Sequence, residues 1–489
     1  LFTDYWPLVL VLWGGFKVLQ RFTRPSRARV GALEIVLLVF VVVTGLSLSA
    51  ARRILEEVSG ESFEDIVGFS TISMVGAPAH RFAGDERFDL GETSALRIAS
   101  PGGNVKVQGG EGTTVDVGFT KRVRHPSETE ASRIADEVRL DFDATGPVAR
   151  LEVVLPEGKT PVECDLDIRL PKGTSVTIEN RRGQVSAFDL AGPVQIETSQ
   201  ERIEAGNLTG GLKATTRHGE IRVIGVSGTV ELANRGGGIV AEDVDGDLRA
   251  ETTHGRLLAE DVSGSALLEN RHAGVRASRV GGELQVNAQN AEVSVESAGA
   301  SVRVANSHGS ILVRDVKGSL TIEATSASIQ ARDVSGDVTL DSRDETVTLV
   351  GVGGSARVRS PLSEVTVEDV QGPLEIESSH DPVVVSRFGS SLSVRSTHAE
   401  LRVHTPRLAG NVSLQTNYGD VELRFPSEAS MKFEGRTEDG EMRSSFPGLE
   451  LREGKEGAFR VWTGAIGPST HAVVVETRYA DIVLSPEES

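Results

Sequence analysis

The sequence predicts a mainly β fold, a single-stack parallel β-helix or solenoid built of 18-residue rungs, and three observations predict it. An apolar residue recurs every 18 positions from Leu190 through Leu208, Val226, Val244, Val262 and Val280 to Phe388, twelve phrases with no residue gained or lost. Counting from that residue, positions +4, +6, +13 and +15 are apolar in every phrase, as in Val230, Leu232, Ile239 and Ala241. Pairs of apolar residues two apart, separated by polar turns and repeated at constant spacing, are strands coiling round one shared core. Position +2 is Gly in ten of the twelve phrases, the exceptions being Ala300 and Ser390, which predicts a tight corner with unusual backbone angles. Composition agrees: 53 Gly and 4% aromatics suit short strands filled by Val, Leu and Ile.

Taken in order, the chain opens with two apolar stretches, Tyr5 to Leu19 and Gly31 to Ala50, and residues 1–53 are expected to form a transmembrane helical hairpin. Arg21, Arg24, Arg27 and Arg29 lie between them without an acid, so the short loop is expected in the cytoplasm and the remainder outside it. The expected location is therefore a bacterial cytoplasmic membrane with the solenoid extracytoplasmic, the bilayer being the hairpin's partner. Tyr5-Trp-Pro-Leu8 leading into Trp13-Gly-Gly15, a basic turn and a second apolar run resembles the two-helix membrane regions of envelope-stress regulators.

Residues 54–87 read as a juxtamembrane linker. From 88 to 171, alternating runs such as Ala95 to Ile98 and Val105 to Val107 read as half-buried strands, interrupted by one helix over Ser127 to Val138. This α+β segment is expected to cap the N-terminal end of the solenoid. The solenoid itself is assigned to 172–425, about fourteen rungs once the register is extended backward to Lys172 and forward across a two-residue insertion. At about 4.8 Å per rung that is a rod on the order of 65 Å. Residues 426–489 are a C-terminal cap and closing rung. Gln415 to Leu423 and Glu476 to Leu484 are kin, and the detour between them is expected to fold over the open edge.

From about Phe88 to Leu484 the chain resembles the bacterial putative-adhesin family of β-solenoid domains of unknown function. Leu170-Pro-Lys-Gly173, the recurring Val-x-Gly-x-Val phrases and Thr477-Arg-Tyr-Ala-Asp-Ile-Val-Leu484 carry that resemblance. It implies a surface or structural role and brings no catalytic or binding residues with it.

Three columns are candidate sites. His218, His254, His272, His308, His380 and His398 share position +10, where stacked imidazoles could ligate a transition metal, although a polar turn explains them as well. At +8, Thr198, Thr216, Asn234, Thr252, Asn270, Asn306, Ser342, Ser360, Ser378 and Ser396 are small polar residues expected to bond one another from rung to rung in a structural role. Acids such as Asp243, Asp261, Asp315, Asp333 and Asp369 stand just before the opening residue, where calcium competes with a solvated face. The one cysteine, Cys164, excludes a disulfide framework and any multi-cysteine metal site.

A net charge of −19 disfavours a nucleic-acid partner. Gapless rungs leave no loops to wall a cleft for paired carboxylates, and no nucleophile elbow, phosphate loop or HExxH occurs. No enzyme activity and no cofactor are expected. The function expected is a structural, adhesive or binding scaffold of the cell envelope, engaging an envelope protein or surface polymer. A sensory component of an envelope-stress system is the alternative, and a polysaccharide-active β-helix enzyme the remote one.

Overall fold

The computed structural model of the protein describes residues 78–91, 93–156, 160–468 and 471–487. Strands alternate between two ladders. One ladder runs from Ser175–Asn180 to Val412–Gln415, the other from Val185–Phe188 to Val421–Phe425, and every pairing along both is parallel. The register advances by one phrase per layer, so Val230 faces Leu248 and Ile221 faces Ile239. About fourteen rungs result. The two extra residues are absorbed in the turn after His404, which leaves Leu392 opposite Val412 and Leu401 opposite Val421.

Period-2 alternation decides what is buried. In Leu248–Thr252, Leu248, Ala250 and Thr252 point inward while Arg249 and Glu251 face solvent. Each rung buries its opening residue and the apolar pairs against equivalent residues above and below. One continuous core therefore runs through the stack.

Both ends depart from chain order. Ala95–Ser100 and Val105–Gly110 form a full rung on Ser175–Asn180 and Val185–Phe188, with Leu96 opposite Val176 and Val105 opposite Val185. Outside that rung lie Ala149–Val154 and Val162–Pro171. The segment expected to be a separate cap thus contributes rungs of its own. At the far end, His471–Glu476 and Ile482–Pro486 stack on Val412–Gln415 and Val421–Phe425, and Met431–Thr437 and Met442–Ser444 stack outside them. Each terminal stretch of solenoid is therefore held beneath a layer supplied by chain nearer the middle.

The last edges are unattractive to another strand. Arg452–Glu456 closes one ladder through antiparallel pairing with Phe459–Ile466, and all five of its residues, Arg-Glu-Gly-Lys-Glu, are exposed. The other ladder ends in the three-residue Met442–Ser444. Short, charged edges resist addition of a further chain. Aromatics gather at these ends, with Phe425, Phe433, Phe446 and Trp462 buried at one and Phe88 stacked on Phe142 at 4.4 Å at the other.

Two compact units are present, the solenoid in the larger and residues 123–134 in the smaller. Within the smaller, the Arg124 N–H donates to the Pro161 carbonyl and a His80 ring nitrogen lies 3.0 Å from the His125 carbonyl. The helix, Glu128–Glu137, starts where the Ser127 hydroxyl accepts the Glu130 N–H at 3.5 Å, and Glu128 and Glu130 complement its N-terminal dipole.

The expected fold class needs one correction. Among the described residues this is the one helix, and none is long and apolar enough to cross a membrane. The described residues form a mainly β solenoid and include neither of the two transmembrane helices that hydropathy suggested; the stretches expected to form them, 5–19 and 31–50, lie outside the described residues.

The glycine column also has a different cause from the one expected. Of the +2 glycines in the twelve phrases, Gly228 and Gly246 have positive φ. The rest are demanded by proximity: a Cβ on Gly210 would lie 2.4 Å from the Gly192 carbonyl carbon, and one on Gly372 would lie 2.6 Å from the Gly354 oxygen. Stacked corners approach too closely for a side chain.

Candidate functional site

The left-handed conformation sits three residues earlier, in the column read as acidic. Asp189, Asn207, Asp243, Asp261, Arg279, Ser297, Asp315, Asp333, Asp369 and Arg387 have φ between 51° and 59°, and Gly225 and Gly351 complete the set of twelve. Each marks a bulge that turns the chain from the second strand into the corner. Asp and Asn tolerate this region better than other residues with a Cβ, which explains the enrichment without a ligand. Their side chains bond along the stack: Asn207 donates to Asp189, Ser297 to Asp315 and Arg279 to Asp261. The guanidinium beside it holds the Asp261 carboxyl below its ordinary value.

Apart from the half-buried Ser396, these +8 residues are buried, and Asn234, Asn270 and Thr252 bond backbone rather than one another. Asn234 donates to the carbonyls of Gly219 in the rung before and Gly238 in its own, while its Oδ1 accepts the N–H groups of Gly236 and Gly237. Asn270 repeats the arrangement with Gly255, Gly274, His272 and Ala273. The hydroxyls of Thr198, Thr216, Ser360 and Ser378 find no partner among the described residues.

The histidines stack as a ladder along the corner. His254 and His272 rings are 5.1 Å apart, and His380 and His398 are 4.9 Å apart at 13° between planes. The second ladder continues through Tyr418 at 4.8 Å to Tyr479 at 5.1 Å. Tyr418 and Tyr479 are 53% and 50% exposed; their matching Asn-Tyr-Gly and Arg-Tyr-Ala triplets carried the signal, but the sequence reading used them only for the closing rung and did not extend the histidine column to them. Parallel rings aim their nitrogen lone pairs in parallel planes, which is poor geometry for convergence on one ion. Among the described residues no three His, Cys, Asp or Glu side chains are placed to hold a metal. Cys164 is buried, and desolvation pushes its thiol up to about 11, so it offers no thiolate for chemistry at neutral pH.

Two open depressions lie on the first ladder. A trough of about 630 Å³ from Thr229 to Thr321 joins a second of about 420 Å³ that begins at Ser175, since both include Thr229 and Glu231. Its floor is the outward +5 column, Gln195, Lys213, Glu231, Arg249, Leu267 and Gln285. Lys213 pairs with Glu231 at 2.8 Å. Across the corner a separate groove of about 580 Å³ is lined by Glu251, Glu269, Asn287, Asn306, Glu323 and Asp341. Sequence reasoning missed both, because outward positions vary freely and carry no periodic signal.

Solved structures similar to this chain include a "putative cell adhesion protein" from Clostridium sporogenes, 9% identical, covering 83% of this chain and 100% of that one with a TM-score of 0.16. A "putative adhesin" from Parabacteroides distasonis is 9% identical over 70% of this chain and 97% of that one, TM-score 0.18. One from Parabacteroides merdae is 11% identical over 70% and 95%, TM-score 0.14. No curated protein matches. The family model described as Toastrack DUF4097 matches residues 162–485, a span that leaves the resemblance of the first fifty residues to envelope-stress regulators without support. With two thirds of its length inside that match, the chain belongs to the Toastrack DUF4097 family.

Proposed function

We propose that the protein is a binding scaffold of the cell envelope that works by attachment rather than turnover. The observation that carries this reading is the joined trough from Ser175 to Thr321, which crosses nine rungs on one flank and spans on the order of 40 Å. Its floor repeats at every rung without converging on any point, so it suits an elongated partner that makes many weak, similar contacts. The mixed column of charge, amide and Leu267 matches a surface polymer or an extended protein face better than a compact substrate. The resemblance to putative adhesins points the same way.

The test is retention of isolated bacterial envelopes and of an envelope-polymer array on the immobilised full chain. Triple reversal of Lys213, Arg249 and Arg303 to Glu should abolish retention. Reversal of Arg222, Arg276 and Arg314 on the other ladder should leave it. Equal retention by both variants, or none by the wild type, would sink the reading.

A further inference from the structure

The two stacks of rings along the corner differ in what surrounds them. His254 and His272 are two rings, and the exposed Arg235 and Arg271 stand beside them. The other stack is longer. His380, His398, Tyr418 and Tyr479 occupy four consecutive rungs, and Leu362 precedes them in the same column. Leu362 is 45% exposed, so with the two tyrosines this column holds three of the five large hydrophobic side chains exposed among the described residues. Apolar side chains scattered singly over a surface are ordinary, whereas a contiguous row marks a site of interaction.

The row stands above its neighbours. Ser379, Thr397 and Asn417 precede the first three rings, and Ala399, Gly419 and Ala480 follow the last three, so small side chains flank it. Ring centroids 4.8 to 5.1 Å apart exceed the contact distance of about 3.5–4.0 Å between parallel faces, so the stack is slipped and each ring presents an edge and part of a face. Carboxylates border the row on its second-ladder side. Asp381 follows His380 directly, and Glu364 and Asp420 stand two residues past Leu362 and Tyr418. Glu364 and Asp381 are in no ion pair among the described residues, whereas Glu400 is paired with Arg402 at 2.8 Å. The one cation next to a ring, Arg478, is paired with Glu438 at 4.0 Å.

We infer that this row binds an elongated, planar, conjugated organic cation lying along the stack. The exposed parts of the ring faces carry the negative end of the aromatic quadrupole, which attracts a cation, and a flat ligand can rest against several of them at once. The bordering carboxylates add to that attraction and oppose an anion. From His380 to Tyr479 is three rung steps, about 14 Å, so a ligand of two or three rings in line spans the row. A compact quaternary ammonium fits less well, because it is held by ring faces that converge round one point, and these faces are parallel. The row lies on other rungs than the trough, so this inference goes beyond the scaffold reading and does not depend on it.

Fluorescence titration of the full chain with thioflavin T, an extended aromatic cation, tests this. Saturable binding is expected, weakened about tenfold in Tyr418→Ser, Tyr479→Ser and unchanged in Val148→Ser, Ile224→Ser, which removes the other two exposed hydrophobic side chains. Equal weakening in both variants would mean general adsorption to apolar surface, and no weakening in the tyrosine variant would mean binding elsewhere; either result overturns the site. Should the tyrosine variant lose its fold, His398→Gln in the middle of the row reads the same loss. Glu364→Gln, Asp381→Asn should weaken binding about threefold. Tighter binding of anilinonaphthalene sulfonate, an aromatic anion, than of thioflavin T, lost in the tyrosine variant, would overturn the ligand class. None of these failures touches envelope retention by the trough, which the tyrosine variant should keep.

Discussion

The middle of the solenoid and its two ends solve the same problem by opposite means. In the middle, each rung meets an identical neighbour 18 residues away, and the chain simply repeats. At the ends no next rung exists, so the chain doubles back: 95–110 lies beneath 149–171, and 471–486 lies beneath 431–444. Repetition supplies a core at low loop-closure cost, whereas the ends accept longer closures to cover what repetition leaves open. The comparison teaches that rungs are interchangeable and ends are not.

The sharpest way to break it is to shorten each region. Removing residues 244–261, one whole rung, brings Val226 and Val262 into the relation that Val226 and Val244 had, and a folded monomer is expected by light scattering. Ending the chain after Phe425 strips both outer layers and bares Val412–Gln415 and Val421–Phe425 as unpaired edges. Self-association is expected there. A monomeric truncated chain would refute the protective role assigned to the C-terminal layers.

Within the rungs, the +8 corner gives the next largest effect. Asn234→Ala strands the Gly237 N–H and the Gly219 carbonyl, while the Gly236 N–H keeps the Arg217 carbonyl and the Gly238 carbonyl keeps the Ile221 N–H, and a loss of about 1–3 kcal/mol is expected by denaturant unfolding. Thr216→Val removes a buried hydroxyl without a partner among the described residues, so it should leave stability level or raise it by about 1 kcal/mol. A loss in Thr216→Val as large as that in Asn234→Ala would show that the hydroxyls do bond along the stack.

The rungs were legible in the sequence because translation by 18 residues leaves every inward position equivalent, so one phrase describes all of them. The cause behind a column was less legible than the column itself. Gly at +2 and Asp before the opening residue both follow from backbone, yet close approach governs Gly210 and left-handed φ governs Asp243, the reverse of what each residue type suggests alone. The order of the ends was not legible at the N-terminus, since the pairing of Leu96 with Val176 spans 80 residues with no local mark. At the C-terminus the kinship of Gln415 to Leu423 with Glu476 to Leu484 did mark it. The ladder of Tyr418 and Tyr479 was present in those same lines.

The bulge column gives a smaller effect. Asp333, at φ 58°, should tolerate Gly within about 0.5 kcal/mol, while Asp333→Val should cost about 1–2 kcal/mol, because a β-branched residue is least suited to that conformation. Chemical unfolding of the two variants decides it, and equal costs would mean that the carboxylate rather than the backbone is what the column selects.

The smallest effect separates the bulge and corner carboxylates from the rest by pH. Asp337 is held below its ordinary value of 3.8 by the Ser355 backbone N–H and then by its hydroxyl, Asp261 by Arg279, and Asp315 by Lys317 and then Ser297. A carboxyl with a depressed folded value binds its proton more weakly folded than unfolded, so its contribution is complete above 3.8 and is lost as pH falls through the folded value. Stability should therefore be level from neutral pH to about 5 and decline below about 4. These groups are exposed, so each contributes little, and the decline should be gradual. Asp337→Asn should flatten it slightly, since its amide oxygen can still accept the Ser355 N–H without titrating. A loss of stability already complete by pH 5 would place the sensitive groups elsewhere.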